Sequence, residues 1–388
     1  MGCATRRVGV PRMNAHAWDQ HATPALGRGL IVHDSLVVQG GAERVMSTLA
    51  SELPASGWCV AAWDRSTFPA DEVGPRVTEL GVTAKTPVLR TLAGLRAFGR
   101  VSAPETPYDW AIYSGFNAPV AVHRQLSERA VLYCHALPRF AYDLYEYYLD
   151  QLPRWQRPAF RALVRHVRPR FEAALDEMDV VLANSENVRQ RLQRFVGCDA
   201  QVLHPPVEAA DFPWAEDQGY FLSTARLEDY KRVDRVVMAF KGLPTRRLVV
   251  TSDGSQRHRL EALADGAPNI SFTGRVSDAE LTRWIAGALA TVYLPKDEDF
   301  GLSPVESMAA GKPVLGVAEG GLLETVKSGE TGWLLSPDPS VEQIREAVRG
   351  IEPDTARAMR SACEQQAARF GLAPFLDGMR RALIGEEH

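Results

Sequence analysis

Cysteine is scarce in this 388-residue chain, and its five cysteines (Cys3, Cys59, Cys134, Cys198 and Cys363) form neither a disulfide framework nor a CxxC or zinc-ligand spacing. That usage fits a reducing compartment, and a cytoplasmic protein is expected. No apolar run approaches the ~20 residues of a membrane span. The leading stretch MGCATRRVGVPRMNAHAWDQHATPALGR lacks the apolar core of a secretory leader. Arg6 stands where an acylation signal at Gly2 needs Ser or Thr. Residues 1–27 are read as a disordered tail, with Met13 as an alternative start. Charge of one sign is lacking too. A formal net charge of -4, from 44 basic and 48 acidic residues, gives no global attraction to nucleic acid, so anion or membrane binding falls to local patches.

What is present is alternation. Short β-rich apolar runs follow one another between helical patterns, the mark of parallel α/β architecture. In the first half these are GLIVH (29–33), CVAAW (59–63), DWAIY (109–113), AVLYC (130–134) and DVVLAN (179–184). In the second they are YFLST (220–224), RLVVT (247–251), NISFT (269–273), ATVYL (290–294) and PVLGV (313–317). Between the sets lies HPPVEAADFPWAEDQG, proline-rich, acidic and without period, which reads as a linker. The expectation is two open parallel sheets facing each other across a cleft, over residues 28–206 and 207–370. Residues 371–388 form a C-terminal helix that crosses back to the first domain. Open parallel sheets bind ligands beyond the carboxyl ends of their strands, so the residues just after each strand are the candidates.

After GLIVH, Gly40 and Gly41 open a helix whose apolar positions Val45, Leu49 and Leu53 share a face. Paired glycines at a helix start admit a diphosphate to free backbone N–H groups, although a plain tight turn is the more frequent reason for them. After AVLYC stands His135, read either as a packed histidine or as a site residue. It makes no nucleophile pair with Cys134, since neighbours on a strand point to opposite faces. After YFLST, Arg226 and Lys231 precede a helix buried through Val233, Val236, Val237 and Phe240. Two cations beside a helix N-terminus disfavour the dipole and favour an anion lying there.

After ATVYL comes the carboxylate-rich KDEDFGLSPVESMAAGKP. Asp297 and Asp299 fit an Asp-x-Asp metal pattern. Glu298 and Glu306 fit either an acid/base pair or acceptors for a polyol. Ser303, Pro304 and Glu306 read as N-cap, N1 and N3 of a helix, which would make Glu306 a capping-box residue. A second glycine pair, Gly320-Gly321, brings another backbone-lined loop to the cleft.

Taken in order, GGAERV, YCHALPRFAYD, ANSENVRQRL, VLHPPVE, ARLEDYKRVD and EDFGLSPVESMAAGKPVLGVAEGGLLETVKSGETGWLL closely resemble the large retaining glycosyltransferase family 4 (group 1) of the GT-B fold. The resemblance runs from about Gly29 to the C-terminus and is strongest at Glu298-x7-Glu306. The YCHALPRFAYD block is most similar to bacterial O-antigen and exopolysaccharide mannosyltransferases.

The resemblance implies a hexosyltransferase whose donor is a nucleotide-sugar, GDP-mannose being favoured over a UDP-sugar. The acceptor would be a lipid-linked or soluble glycan in cell-surface polysaccharide or lipopolysaccharide assembly. Arg226 and Lys231 would hold the donor diphosphate without a metal or other cofactor, and Gly40 and Gly41 would bring N–H groups to it. Glu298 would accept from sugar hydroxyls, with Phe300, Gly301 and Leu302 supplying backbone N–H groups. Glu306 would bind the ribose and His135 would orient the sugar. Asp253, Gly254, Gly274, Arg275 and Val276 would surround the base, although Ser255 stands where the family commonly has Pro. Catalysis would fall to His135, Glu298, Arg226 and Lys231, by front-face substitution with no enzymic nucleophile.

On the acceptor side, Arg139, Tyr142 and Asp143 are candidates. The aromatic and arginine-rich segment 139–175, with Arg90, Arg96 and Arg100, fits either a surface that meets anionic lipid or an ordinary solvated helical hairpin. A 2-epimerase or phosphorylase on the same fold, a non-catalytic nucleotide-sugar-binding or scaffold subunit, and a metal-dependent transferase built on Asp297-Glu298-Asp299 are the competing classes.

Overall fold

The computed structural model describes residues 26–53, 56–74 and 76–385; most of the expected N-terminal tail lies outside them. The first sheet contains β1 (Gly29–His33), β2 (Ser56–Val60), β3 (Val77–Glu79), β4 (Tyr108–Ser114), β5 (Ser127–Cys134), β6 (Val180–Ala183) and β7 (Gln201–Val202). Its order is β3-β2-β1-β4-β5-β6-β7. The second contains β8 (Tyr220–Ser223), β9 (Arg247–Val250), β10 (Ile270–Phe272), β11 (Ala290–Val292), β12 (Val314–Val317) and β13 (Gly332–Leu335), in the order β10-β9-β8-β11-β12-β13. Every pairing is parallel.

The central strands are buried along their whole length, as sheets covered on both faces require. That is why they read as continuous apolar runs. The three strands the pattern did not reveal, β3, β7 and β13, all lie at sheet edges. β3 and β7 are two or three residues long and largely exposed, so no apolar run marks them, whereas β13 is the short apolar GWLL, half-buried along most of its length. β2 also starts earlier than CVAAW suggested, because pairing with β1 runs from Ser56 opposite Gly29.

Each sheet carries helices on both faces. On the second, Val233, Val236, Val237 and Phe240 of the helix Val233–Lys241 join the main core. On the first, the helix Gly41–Glu52 packs through Val45, Met46 and Leu49 beside Ile31 and Trp58. The last helix, Leu372–Ile384, buries Phe375, Leu376 and Met379 in that same cluster on the N-terminal sheet, with Phe375 edge-on to Tyr133 at 5.7 Å. The chain thus passes between the lobes twice. The passages are tied where the Val207 N–H donates to the Phe370 carbonyl (2.7 Å).

Candidate functional site

The carboxyl ends of the two sheets face each other across a cavity of about 340 Å³, lined by His135 and Arg139 of the first lobe and by Arg226, Lys231, Glu298 and the 300–303 backbone of the second. Glu298 lies in the loop after β11. One oxygen accepts from Lys231 Nζ at 2.5 Å and the other from the Tyr293 hydroxyl at 3.1 Å. Lys231 ends a 3-10 turn (Asp229–Lys231) and also reaches the Tyr293 hydroxyl at 3.3 Å. Burial alone would discharge the Lys231 ammonium; the adjoining Glu298 carboxylate outweighs it and holds the amine above the ordinary lysine range. Arg226 is exposed at the cavity wall and makes no ion pair among the described residues. The site therefore offers one cation tied to a carboxylate and one available to an anion.

His135 follows β5 and lines the same cavity. Burial and the neighbouring His33 push its pKa down to about 3, so the ring is neutral. Its Nε2 lies 3.1 Å from Ser114 Oγ.

The helix after the Glu298 loop differs from the expectation. It runs Leu302–Ala309 with Gly301 as N-cap in the left-handed region (φ 96°). Pro304 sits at its third position rather than its first. This is tolerated because the first four N–H groups of a helix have no intrahelical partner. Glu306 is correspondingly too deep in the helix to cap it. Its buried carboxylate instead accepts from Arg44 of the other lobe at 2.6 Å. Burial raises the Glu306 pKa despite that contact.

Asp297 and Asp299 face guanidinium groups. Arg191, 5 % exposed, donates to Asp297 Oδ1 (2.8 Å), to the Asp297 carbonyl (2.7 Å) and to Asp299. Arg139 lies 3.8 Å from Asp297 and 3.9 Å from Asp299. Ser185 and Asn187, at the start of the helix Glu186–Val196, donate to the Asp299 and Glu298 carbonyls at 2.6 and 2.7 Å. Glu324 accepts from the backbone N–H groups of Glu186 and Asn187 (2.7 and 3.0 Å). The acidic loop is thus anchored to the opposite lobe.

Gly320-Gly321 buttresses that loop instead of lining open cleft. A Cβ on Gly321 would lie 2.4 Å from Phe300 Cα, and one on Gly320 would lie 2.5 Å from the Glu298 carbonyl oxygen. Gly321→Ala is therefore expected to cost about 1–3 kcal/mol, the usual range for overpacking, and to shift the Glu298 loop. Urea titration checks the cost.

The other candidates divide. Gly41 lines the cavity and approaches Leu302 across the cleft, whereas the Gly40 N–H donates to Glu43. Arg139 is at the cavity, paired with Asp143 at 2.7 Å. Tyr142 is not brought to it: the ring is buried in the N-terminal core and the hydroxyl donates to Glu172. Asp253, Gly254, Gly274, Arg275 and Val276 lie outside the cavity lining. Of these, Asp253 pairs with Arg257 at 3.2 Å, Gly274 lies against the same guanidinium, and Gly254 packs on the Leu227 backbone. Tyr293, Arg44, Arg191 and Ser114 were not singled out from sequence; Arg44, Arg191 and Ser114 act on partners distant in the chain, while Tyr293 acts on Glu298 five residues on and on the distant Lys231. Tyr293 alone carried a signal, a polar ring at the end of an apolar strand.

Two family models match, Glycosyltransferase Family 4 over residues 39–211 and Glycosyl transferases group 1 over 207–370. Among curated relatives, the alpha-1,3/1,6-mannosyltransferase of Rhizomucor pusillus is 29% identical over 47% of this chain and 52% of its own. The GDP-mannose-dependent alpha-(1-6)-phosphatidylinositol dimannoside mannosyltransferase of Mycobacterium tuberculosis is 31% identical over 45% and 47%. The chain spans about half the length of the curated relatives it matches. Among solved structures, the sucrose-phosphate synthase of Thermosynechococcus elongatus superposes with a TM-score of 0.72 at 19% identity, covering 93% of this chain and 100% of its own. An Anabaena protein in complex with UDP and glucose gives 0.70 at 14%, covering 91% and 98%.

Proposed function

The chain belongs to the family 4 (group 1) glycosyltransferases and has their GT-B fold, and from that premise we propose that it is a hexosyltransferase acting from a nucleotide-sugar, with GDP-mannose as donor and a lipid-linked or soluble glycan as acceptor. The observation that carries the reading is the convergence of Arg226, Lys231, Glu298 and His135 on one cavity between the lobes. The mannosyltransferase relatives support the choice of sugar. A UDP-sugar is the second reading, favoured by the Anabaena neighbour's complex with UDP and glucose.

In the proposed reaction the diphosphate lies against Arg226 and Lys231, which stabilise the charge that develops as the glycosidic C–O bond breaks. Glu298 accepts from sugar hydroxyls. Glu306 takes the ribose hydroxyls once Arg44 yields its place. Retaining hydrolysis with an enzymic nucleophile needs two carboxylates ~5 Å apart flanking the anomeric carbon, and here the second carboxylate serves the nucleotide. The proposal is therefore front-face substitution: the acceptor oxygen bonds to the anomeric carbon on the side the phosphate leaves, and its proton passes to that phosphate. No metal takes part. A thermal-shift panel of nucleotide sugars tests the donor: at 100 times its Kd a ligand stabilises by about 2.7 kcal/mol. GDP-mannose should shift the transition; a shift with a UDP-sugar alone overturns the donor, and an inverted product anomer overturns the mechanism.

For a lipid-linked acceptor the proposed approach is the N-terminal lobe. The helix Pro87–Phe98 exposes Val88 and Leu89 beside Arg90 and Arg96, and Trp155 is 78% exposed near Arg154. Anionic liposomes are expected to float the protein at low salt, and Leu89→Asp with Trp155→Asp to abolish flotation.

A further inference from the structure

Three neighbouring strands of the first sheet end in polar side chains that touch: His33 closes β1, Ser114 closes β4 and His135 follows β5. The β1–β4 register places His33 directly opposite Ser114. His33 Nδ1 is 3.0 Å and His135 Nε2 3.1 Å from the one Ser114 hydroxyl oxygen. Ser114 is fully buried and His33 is 3% exposed, so solvent does not share in these contacts. Behind His33, Nε2 faces Glu43 Oε1 at 3.8 Å, while Glu43 Oε2 accepts from the Gly40 N–H at 3.1 Å.

We propose that Glu43, His33 and Ser114 form a directional relay that holds His135 as the Nε2-protonated tautomer and leaves its Nδ1 as an acceptor for one hydroxyl of the donor sugar. The facing of His135 toward a sugar rests on the function proposed above; the relay itself does not.

The direction follows from proton counting. Burial opposes ionisation of Glu43, but the His33 contact outweighs it and keeps the carboxyl below its ordinary value. A carboxylate offers no proton and attracts one, so Glu43 at 3.8 Å favours the His33 proton on Nε2. In the relay as proposed, His33 carries that one proton and presents a lone pair at Nδ1, and the single hydroxyl hydrogen of Ser114 goes there. Ser114 Oγ has no second hydrogen for His135, so it accepts from His135 Nε2–H. His135 is neutral, so Nδ1 carries the lone pair. The Tyr133 ring, edge-on at 4.9 Å, and Asn184, donating to the His135 carbonyl at 2.9 Å, hold the imidazole in place. With Glu298 also an acceptor, the site demands donating hydroxyls from the sugar. A second consequence is coupling: the carboxylate that starts the relay also holds the Gly40 turn.

The test has two arms. In the ligand-free protein, ¹⁵N spectra of labelled histidine, assigned through His135→Asn, should show His135 protonated at Nε2. Ser114→Ala should convert that signal to a tautomer mixture. Protonation at Nδ1 in the wild type, or an unchanged tautomer in Ser114→Ala, overturns the relay whatever the reaction proves to be. In the second arm, the donor found by the thermal-shift panel is compared with analogues in which each sugar hydroxyl in turn is replaced by fluorine, which accepts weakly and cannot donate. One position should lose about 10²-fold in kcat/KM, and Ser114→Ala should erase much of that discrimination. If the tautomer is as expected but no fluorinated position is discriminated in a Ser114-dependent way, the sugar-facing role of His135 is wrong and the relay stands as a structural device.

Discussion

Lys231→Ala is expected to lower kcat by about 10²–10³-fold, the loss typical of removing one preorganised group that stabilises charge in the transition state. Two effects combine. The ammonium that would balance the departing diphosphate is gone, and the Glu298 carboxylate loses its 2.5 Å partner, keeping only the Tyr293 hydroxyl. Both side chains are mostly buried, at 11% and 15% exposure, so the orphaned carboxylate also costs stability. That cost should fall short of the ~3–5 kcal/mol of a fully buried pair, because the cavity admits water. Lys231→Arg should not rescue, since the planar fork of a guanidinium does not fit the position of a compact ammonium between Glu298 and Tyr293. Arg226→Ala, at an exposed and unpaired cation, should act mainly on KM. Steady-state kinetics with the donor found by thermal shift decide it; an unchanged kcat in Lys231→Ala would remove Lys231 from the proposed chemistry.

Arg191→Leu is expected to destabilise the fold by about 3–5 kcal/mol, the cost of stripping one partner from a buried charge cluster. The guanidinium holds Asp297 and Asp299 of one lobe from a helix of the other, and Asp143 lies 4.0 Å away. Without it, the buried Asp299 keeps Arg139 at 3.9 Å and the weaker attraction of Lys231. Burial already raises the Asp299 pKa against the pull of Arg139 and Arg191, and the substitution raises it further. A carboxyl whose folded pKa lies above its unfolded value adds stability at low pH and loses it as pH rises through the folded pKa. The deficit of Arg191→Leu should therefore be largest near neutral pH and shrink in acid. Urea midpoints of wild type and variant across that range measure it. A deficit independent of pH would mean that the loss is packing and not charge.

The cluster also answers what the acidic stretch Asp297-Glu298-Asp299 is for. Read alone it fits an Asp-x-Asp pattern, because sequence shows the carboxylates but not the guanidinium groups facing them. Arg191 lies in a different lobe, and its contact with Asp299 spans 108 positions. Arg44 and Glu306 are 262 apart. The capping-box reading of Glu306 failed for a related reason. Ser-Pro is a good local start signal, but Gly301 can take the left-handed conformation that begins the helix earlier, and the partner waiting across the cleft is invisible to local pattern.

The sequence by itself determined the fold class, the two sheets and their central strands, because strands buried on both faces must be apolar throughout and their ends must carry whatever polar chemistry the cleft contains. His135, Arg226, Lys231 and Glu298 were legible as candidates on that ground. Only the tertiary structure decided which of these meet, which carboxylates are already taken by arginines, and that Ser114 stands between two imidazoles. Hydrogen bonds and ion pairs act over about 3–4 Å, and residues brought within that distance by packing of the two lobes leave no periodic trace along the chain.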